Sequence, residues 1–420
     1  MLYPAESGKW LSCGAISRGD GLSVSKTFGK RVAATARPAP ARPADPTTAE
    51  AQIPPGFAAR LAARIPWLTL ALSTVLVTRF LIELRSATDY AAPYSPGHFT
   101  LLAAGASGRV QVLEHGEWWR LFTATVLHGS PEHLIGNVVT FLIVGFLLEP
   151  MIGIGWFSAV YFTGGFVGAI ASMMLNGPEI LSVGASGAIM ATLAALFTLS
   201  FHGGAPRPTL MRRVAAGSLF PALIPTMAHG GVVTDINAHL GGCLAGAGIA
   251  FILLIAWNDE QDSPPGRSLA AIIAGFWIAT TGWAFAASSH TYAAYAQPGL
   301  DYIPPSQMPT DIDKMKADSL SLVDKYPKDP RAHMFRGLYL LEQRQVSDAE
   351  PYFRDAERLG EASPVMTREF QDWNRVLLAF TLRVQNRNPE AQTIVAPLCA
   401  SLSDLDVRTQ QTLEITKLCK

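Results

Sequence analysis

Residues 184–201 read GASGAIMATLAALFTLSF, and residues 235–256 read DINAHLGGCLAGAGIAFILLIA. Both are apolar runs of about the length that crosses a bilayer core. Each carries one chemically able polar side chain near its start, Ser186 in the first and His239 in the second. Polar groups inside a span are costly, which makes them functional candidates. Each also has a bland reading. Small-residue clusters such as GASGA pack membrane helices together, and a solitary histidine can simply bond a backbone carbonyl.

Counting the other spans decides between these readings. Apolar runs predict seven, at roughly 66–84, 133–149, 153–175, 184–201, 213–229, 235–256 and 268–288. Even-numbered spans begin on the same face of the membrane. His133 and Asn137 open the second, Ser186 the fourth and His239 the sixth. At about 1.5 Å rise per residue, all four lie within the first turn or two, at one depth. A serine and a histidine meeting there read as nucleophile and general base. His133 and Asn137 are four apart and share a helix face, from which their donors suit a developing oxyanion. The glycines beside Ser186, Gly184 and Gly187, permit close backbone approach, and a helix start supplies free amides. Gly242 and Gly246 form a GxxxG surface for a neighbouring helix.

Other candidates read as structural. Asp235, one turn before His239, is read as a helix N-cap rather than a third catalytic member. Cys243 is read as a packing residue. His128 lies five residues before His133, about 140° away if both are helical, which argues against a metal pair. No metal or cofactor is expected.

The chain has 420 residues, of which 49% are hydrophobic and only 16% charged, with zero formal net charge. That composition is too apolar for an ordinary soluble protein, and it offers no basic patch for nucleic acid. Four scattered cysteines form no metal spacing, although Cys399 and Cys419 can pair in an oxidising compartment. Residues 1–60, rich in Ala, Pro, Ser and Arg, are expected to be a disordered cytoplasmic segment. An organelle transit peptide is a second reading of them. Residues 61–260 form the membrane core, 261–296 the seventh span and a linker, and 297–420 a charged helical domain. Lys and Arg cluster before the first span and at 207–213, placing those segments in the cytoplasm. Seven spans then put the C-terminal domain outside. The loop 85–132 is outside too, with Trp118, Trp119 and Arg120 as an interfacial anchor. In the C-terminal domain, Gly337, Ala349, Phe353 and Ala356 fall at the spacing of a tetratricopeptide helical hairpin. The fold expected is all-α, a polytopic membrane helix bundle with a soluble helical-hairpin domain.

With these motifs in order, the sequence resembles the rhomboid family of intramembrane serine proteases. The GxSG nucleophile motif reads GASG around Ser186. The AHxxGxxxG motif runs from Ala238 and His239 through Gly242 to Gly246. HxxxxHxxxN reads His128, His133 and Asn137, WR reads Trp119-Arg120, and GxxxE reads Gly145 and Glu149. The resemblance covers residues 65–256. It implies a six-helix core plus one span and a Ser186–His239 dyad without an essential acid. It also implies an oxyanion site from the Ser186 amide with His133 and Asn137, and a structural or water-organising His128. The implied substrates are single-span membrane proteins cut in or near the bilayer. A bacterial inner or plasma membrane is the expected location, and the tetratricopeptide-like hairpins, which the resemblance does not cover, are expected to bind a protein partner. One departure is Met190, where many relatives carry a tyrosine stacked on the histidine. The rival reading is an inactive relative that binds clients. A transporter would need charges deep in the spans, and the core spans hold them only towards their ends.

Overall fold

A computed structural model describes residues 65–177, 180–224, 234–304, 307–309 and 311–419. The segment expected to be disordered, 1–60, lies outside them.

The chain enters the bundle with α1 (Trp67–Arg85). An outer loop follows, with β1 (Tyr90–Ala92) antiparallel to β2 (Ser95–Pro96), α2 (His98–Ala104), β3 (Ser107–Gly108) and α3 (Arg120–Thr123). Then come α4 (Pro131–Leu175), β4 (Leu181–Ser182), α5 (Ser186–Leu199), α6 (Pro208–Ala222), α7 (Ile236–Ala256) and α8 (Arg267–Asp301). The only sheet among the described residues is β1–β2 and β3–β4, each strand two or three residues long. Four helices, α1, α4, α7 and α8, are long and apolar enough to cross a membrane, and α5 is a shorter apolar helix. The protein is an all-α, integral multi-pass membrane bundle.

The 45 residues of α4 are two spans, not one. Gly153 has φ 79° and ψ 161° inside it, and Pro150 precedes it. Phe141 stacks 5.9 Å from Phe157 and lies 4.9 Å from Tyr161. Sixteen residues of straight helix would hold such rings about 24 Å apart, so the halves fold back on each other at Gly153.

Residue size sets how closely the central helices approach. On α7, a Cβ at Gly242 would sit 2.0 Å from the Gly187 carbonyl oxygen, and one at Gly246 would sit 2.1 Å from that of Ala191. Helices α5 and α7 therefore touch backbone to backbone, with α5 almost wholly buried between α4 and α7. Glu149 closes the first span from 80 residues away. It accepts from the amides of Leu68 (3.0 Å) and Thr69 (2.8 Å) and from the Thr69 hydroxyl (2.6 Å), satisfying free donors of a helix start. A Cβ on Gly145 would lie 2.2 Å from that same hydroxyl.

Two expectations change. Trp119 and Arg120 are not an interfacial anchor: both are buried, and only Trp118 is exposed. The Arg120 guanidinium donates to the Leu102 and Ala106 carbonyls (2.7 and 2.9 Å) and to Glu117 (2.6 Å), between the Trp119 and Tyr295 rings. It staples the outer loop from within. The seventh helix also does not stop near 288. It runs on to Asp301, with Tyr295 and Ala296 of the added turns packed on Leu102 and Ala103.

Beyond it lie α9 (Ile312–Ala317), α10 (Ser319–Lys325), α11 (Pro330–Glu342), α12 (Val346–Glu361), α13 (Arg368–Val384), α14 (Asn388–Ala400) and α15 (Val407–Thr416). Gly337 faces the Phe353 ring, where a Cβ would meet it at 2.7 Å, and Ala349, Phe353 and Ala356 are fully buried between α11 and α12. A disulfide joins Cys399 to Cys419. This domain is docked on the bundle: Met366 packs with Phe99 of the outer loop and Tyr302, and Val365 packs against Leu102 and Tyr295.

Gly145→Val is expected to cost about 1–3 kcal/mol through overpacking against Thr69, read as a lower Tm in detergent. An unchanged Tm would show that the α1–α4 approach carries no stability.

Candidate active site

Ser186 is the first residue of α5. Gly184 precedes it at φ 125°, and its amide donates to the Ala124 carbonyl at 2.9 Å. That left-handed turn suits glycine. It also lies flat on the next group: a Cβ on Gly184 would sit 2.7 Å from His133 Cε1 and 3.6 Å from Asn137 Nδ2. His133 and Asn137 occupy the opening turns of α4, which Ser130 caps by accepting from the His133 amide at 3.2 Å.

His239 sits in the first turn of α7 and is buried. Its Nδ1–H donates to the carbonyl of Ala222, the last residue of α6, at 2.7 Å. A neutral imidazole that donates from Nδ1 keeps its lone pair on Nε2. Neither that nitrogen nor the Ser186 hydroxyl has a hydrogen-bond partner among the described residues. Ser186, His239, His133 and Asn137 together line two adjoining cavities. One, of about 320 Å³, is bounded by Ser130, Leu181, Ser182 and Asp235. The other, of about 420 Å³, lies between the start of α4 (Gly136, Thr140) and α6 (Gly217, Pro221), with Met190 in its wall.

The remaining predicted residues have clear positions. Gly187 and Gly242 form the α5–α7 contact. His128 is not on the α4 helix, so the helical angle between it and His133 does not apply: their rings touch at 5.1 Å, edge to face. Its Nε2 bonds Asn137 Nδ2 at 3.0 Å. Cys243 sits beside the Met190 carbonyl. Among the described residues, no three His, Cys, Asp or Glu side chains come together as metal ligands.

Asp235 caps α7 by accepting from Ala238 N at 3.0 Å. It also accepts from Ser172 (2.5 Å), Ser182 (2.7 Å) and Asn176 (3.0 Å). Its oxygens are thus committed to the end of α4 and to β4 as well as to its own helix, and His239 is held by a backbone carbonyl instead. This network escaped the sequence reading; its only signal was the set of polar residues at three span ends.

Residues 115–256 match the Rhomboid domain. The chain is also similar to curated rhomboid proteins. It is 34% identical over 149 residues to "Rhomboid protease GluP" of Bacillus subtilis, covering 35% of this chain and 28% of that protein. It is 32% identical over 182 residues to "RHOMBOID-like protein 5" of Arabidopsis thaliana, covering 40% of this chain and 56% of the relative. To "Rhomboid-like protease 1" of Toxoplasma gondii it is 28% identical over 187 residues, covering 44% and 63%. The chain therefore spans less than two thirds of each of these relatives. The likeness lies in the membrane part, and the helical arrangement described above fits a rhomboid bundle.

Asp235→Ala is expected to lower Tm in detergent, since it removes the acceptor that Ser172, Asn176, Ser182 and the Ala238 amide share. An unchanged Tm would show that this network carries no stability.

Proposed function

We propose that this protein is an intramembrane serine endopeptidase that cuts single-span membrane proteins in or near the bilayer. The observation that carries the reading is the Nδ1 anchor of His239 on Ala222, which leaves Nε2 basic on the cavity it shares with Ser186. In the proposed reaction, Nε2 takes the Ser186 proton as the hydroxyl oxygen attacks the scissile carbonyl. The resulting oxyanion is held by the Ser186 amide at the α5 start with Asn137 and His133. His239 then protonates the leaving amine, and water, activated by the same base, releases the acyl group. The cavity between α4 and α6 is the proposed entry for a substrate helix from the lipid.

Ser186→Ala and His239→Ala are each expected to abolish cleavage of a generic single-span substrate in detergent, since dyad members act as a unit. Full cleavage by either variant would overturn the dyad. A folded wild type that binds such a protein without cutting it would favour the client-binding reading.

The orientation proposed has the N-terminus in the cytoplasm and the C-terminal domain outside with the active-site opening. Two things support it: the distribution of Lys and Arg, and the Cys399–Cys419 disulfide, which suits an oxidising compartment. The C-terminal helices are proposed to be tetratricopeptide-like and to recruit or orient substrate ectodomains by tethering. The packing of Val365 and Met366 on the outer loop supports a second, bracing role. Met366→Lys is expected to undock the domain. Recruitment predicts slower cleavage of a natural substrate alone, whereas loss of cleavage of a short membrane peptide as well would assign the domain to bracing.

A further inference from the structure

One buried carboxylate is left unused by the chemistry proposed above. Glu83, in the last turns of α1, is 1% exposed. It follows Arg79 by one turn, and the bland reading is an ion pair within α1. The distances favour another task. Arg79 Nε stands 3.5 Å from Glu83 Oε1 and makes no hydrogen bond with it. Arg79 spends its Nη2 on the Ala104 carbonyl of the outer loop, at 3.0 Å. The hydrogen bond that Glu83 does make, through Oε2 at 3.2 Å, is to the backbone amide of His128. A buried carboxyl oxygen is thus committed to one loop amide.

That amide belongs to the residue that orients Asn137. The His128 ring is fully buried. Among the described residues it is the only side-chain partner of the Asn137 amide, Nε2 to Nδ2 at 3.0 Å. An acceptor Nε2 requires a neutral His128 with its proton on Nδ1. One Nδ2 hydrogen of Asn137 is then fixed on His128, and the direction of the second follows from amide planarity. Asn137 lines both cavities with Ser186, and the Gly184 turn lies against it. The segment carrying His128 has no helix of its own to hold it. It lies between the turn ending at Val126 and α4, with Leu127 in extended geometry.

We propose that Glu83 is a positioning residue, fixing the His128 segment so that the Asn137 amide is aimed at the oxyanion. This rests on the serine-protease reading of the site. A small misplacement of an oxyanion donor is expensive, because removing one outright costs about 10²–10³ in turnover.

The test compares kcat, KM and Tm for the full-length protein in proteoliposomes with a single-span substrate. The variants are Glu83→Ala, Glu83→Gln, Asn137→Ala, the double Glu83→Ala/Asn137→Ala, and Ser186→Ala as baseline. Glu83→Ala is expected to lower kcat about tenfold, a fraction of the full donor loss, with KM unchanged. Glu83→Gln keeps an oxygen for the His128 amide and should recover most of that loss. The double variant should be no slower than Asn137→Ala alone, since both act on one donor. Losses that multiply, or wild-type kcat in Glu83→Ala, overturn the proposal. Should Glu83→Ala not fold, Glu83→Asp, whose carboxylate is drawn back by one methylene, replaces it with the same expectations and the same refutations. Cleavage by Ser186→Ala would overturn the protease reading and this one together. An inert Ser186→Ala with multiplying losses overturns this one alone.

Discussion

The bundle depends on the near-contact of two bare backbones. Where α7 crosses α5, Gly242 and Gly246 leave room for the carbonyl oxygens of Gly187 and Ala191 at distances no side chain would allow. Lipid offers little hydrophobic drive for helix association, so close van der Waals approach has to supply it. The same crossing sets the site. Ser186 precedes Gly187 on one helix and His239 precedes Gly242 on the other, so the contact that binds the helices also bears on the spacing of these two candidate side chains.

Around that crossing, polar groups act as long-range fasteners. Glu149 caps α1, Arg120 gathers the carbonyls of the outer loop, and Asp235 ties α4, β4 and α7 together. Each is buried or partly buried: Glu149 is met by two backbone amides and a hydroxyl, Arg120 by two carbonyls and Glu117, and Asp235 by two hydroxyls, the Asn176 amide and a backbone amide. That arrangement suits an interior where an unmet polar group is costly. The candidate pair differs from these fasteners, since Ser186 and His239 line cavities and neither the Ser186 hydroxyl nor His239 Nε2 has a hydrogen-bond partner among the described residues.

Much of this was legible in the chain. The apolar runs located the helices, and the break between 149 and 153 anticipated the reversal that Gly153 makes. The matched positions of Ser186, His239, His133 and Asn137 followed from counting spans, and the structure brings all four to the same cavities. Asp235 reads as a cap because Asp before an apolar helix is a local signal. What sequence hid was contact between distant segments. Trp119-Arg120 looks interfacial in a loop, and only the Tyr295 ring, far along the chain, reveals why the arginine is buried. Periodicity placed His128 away from His133 because it assumed a helix that starts only at Pro131. Hydropathy ended the last span near 288 because it measures lipid compatibility, and it is blind to a helix that continues against other parts of the protein.

That continuation makes α8 a ruler. Its 35 residues extend about 52 Å, roughly 20 Å more than a hydrocarbon core of about 30 Å. Up to Pro298, in its last turn, the helix converts length into both height and bearing. One residue more or less would raise or lower the outer helices by about 1.5 Å and turn them by about 100°. The last turns of α8 are therefore constrained in count and, where Tyr295 packs on Arg120 and Gly299 meets Thr88, in identity too.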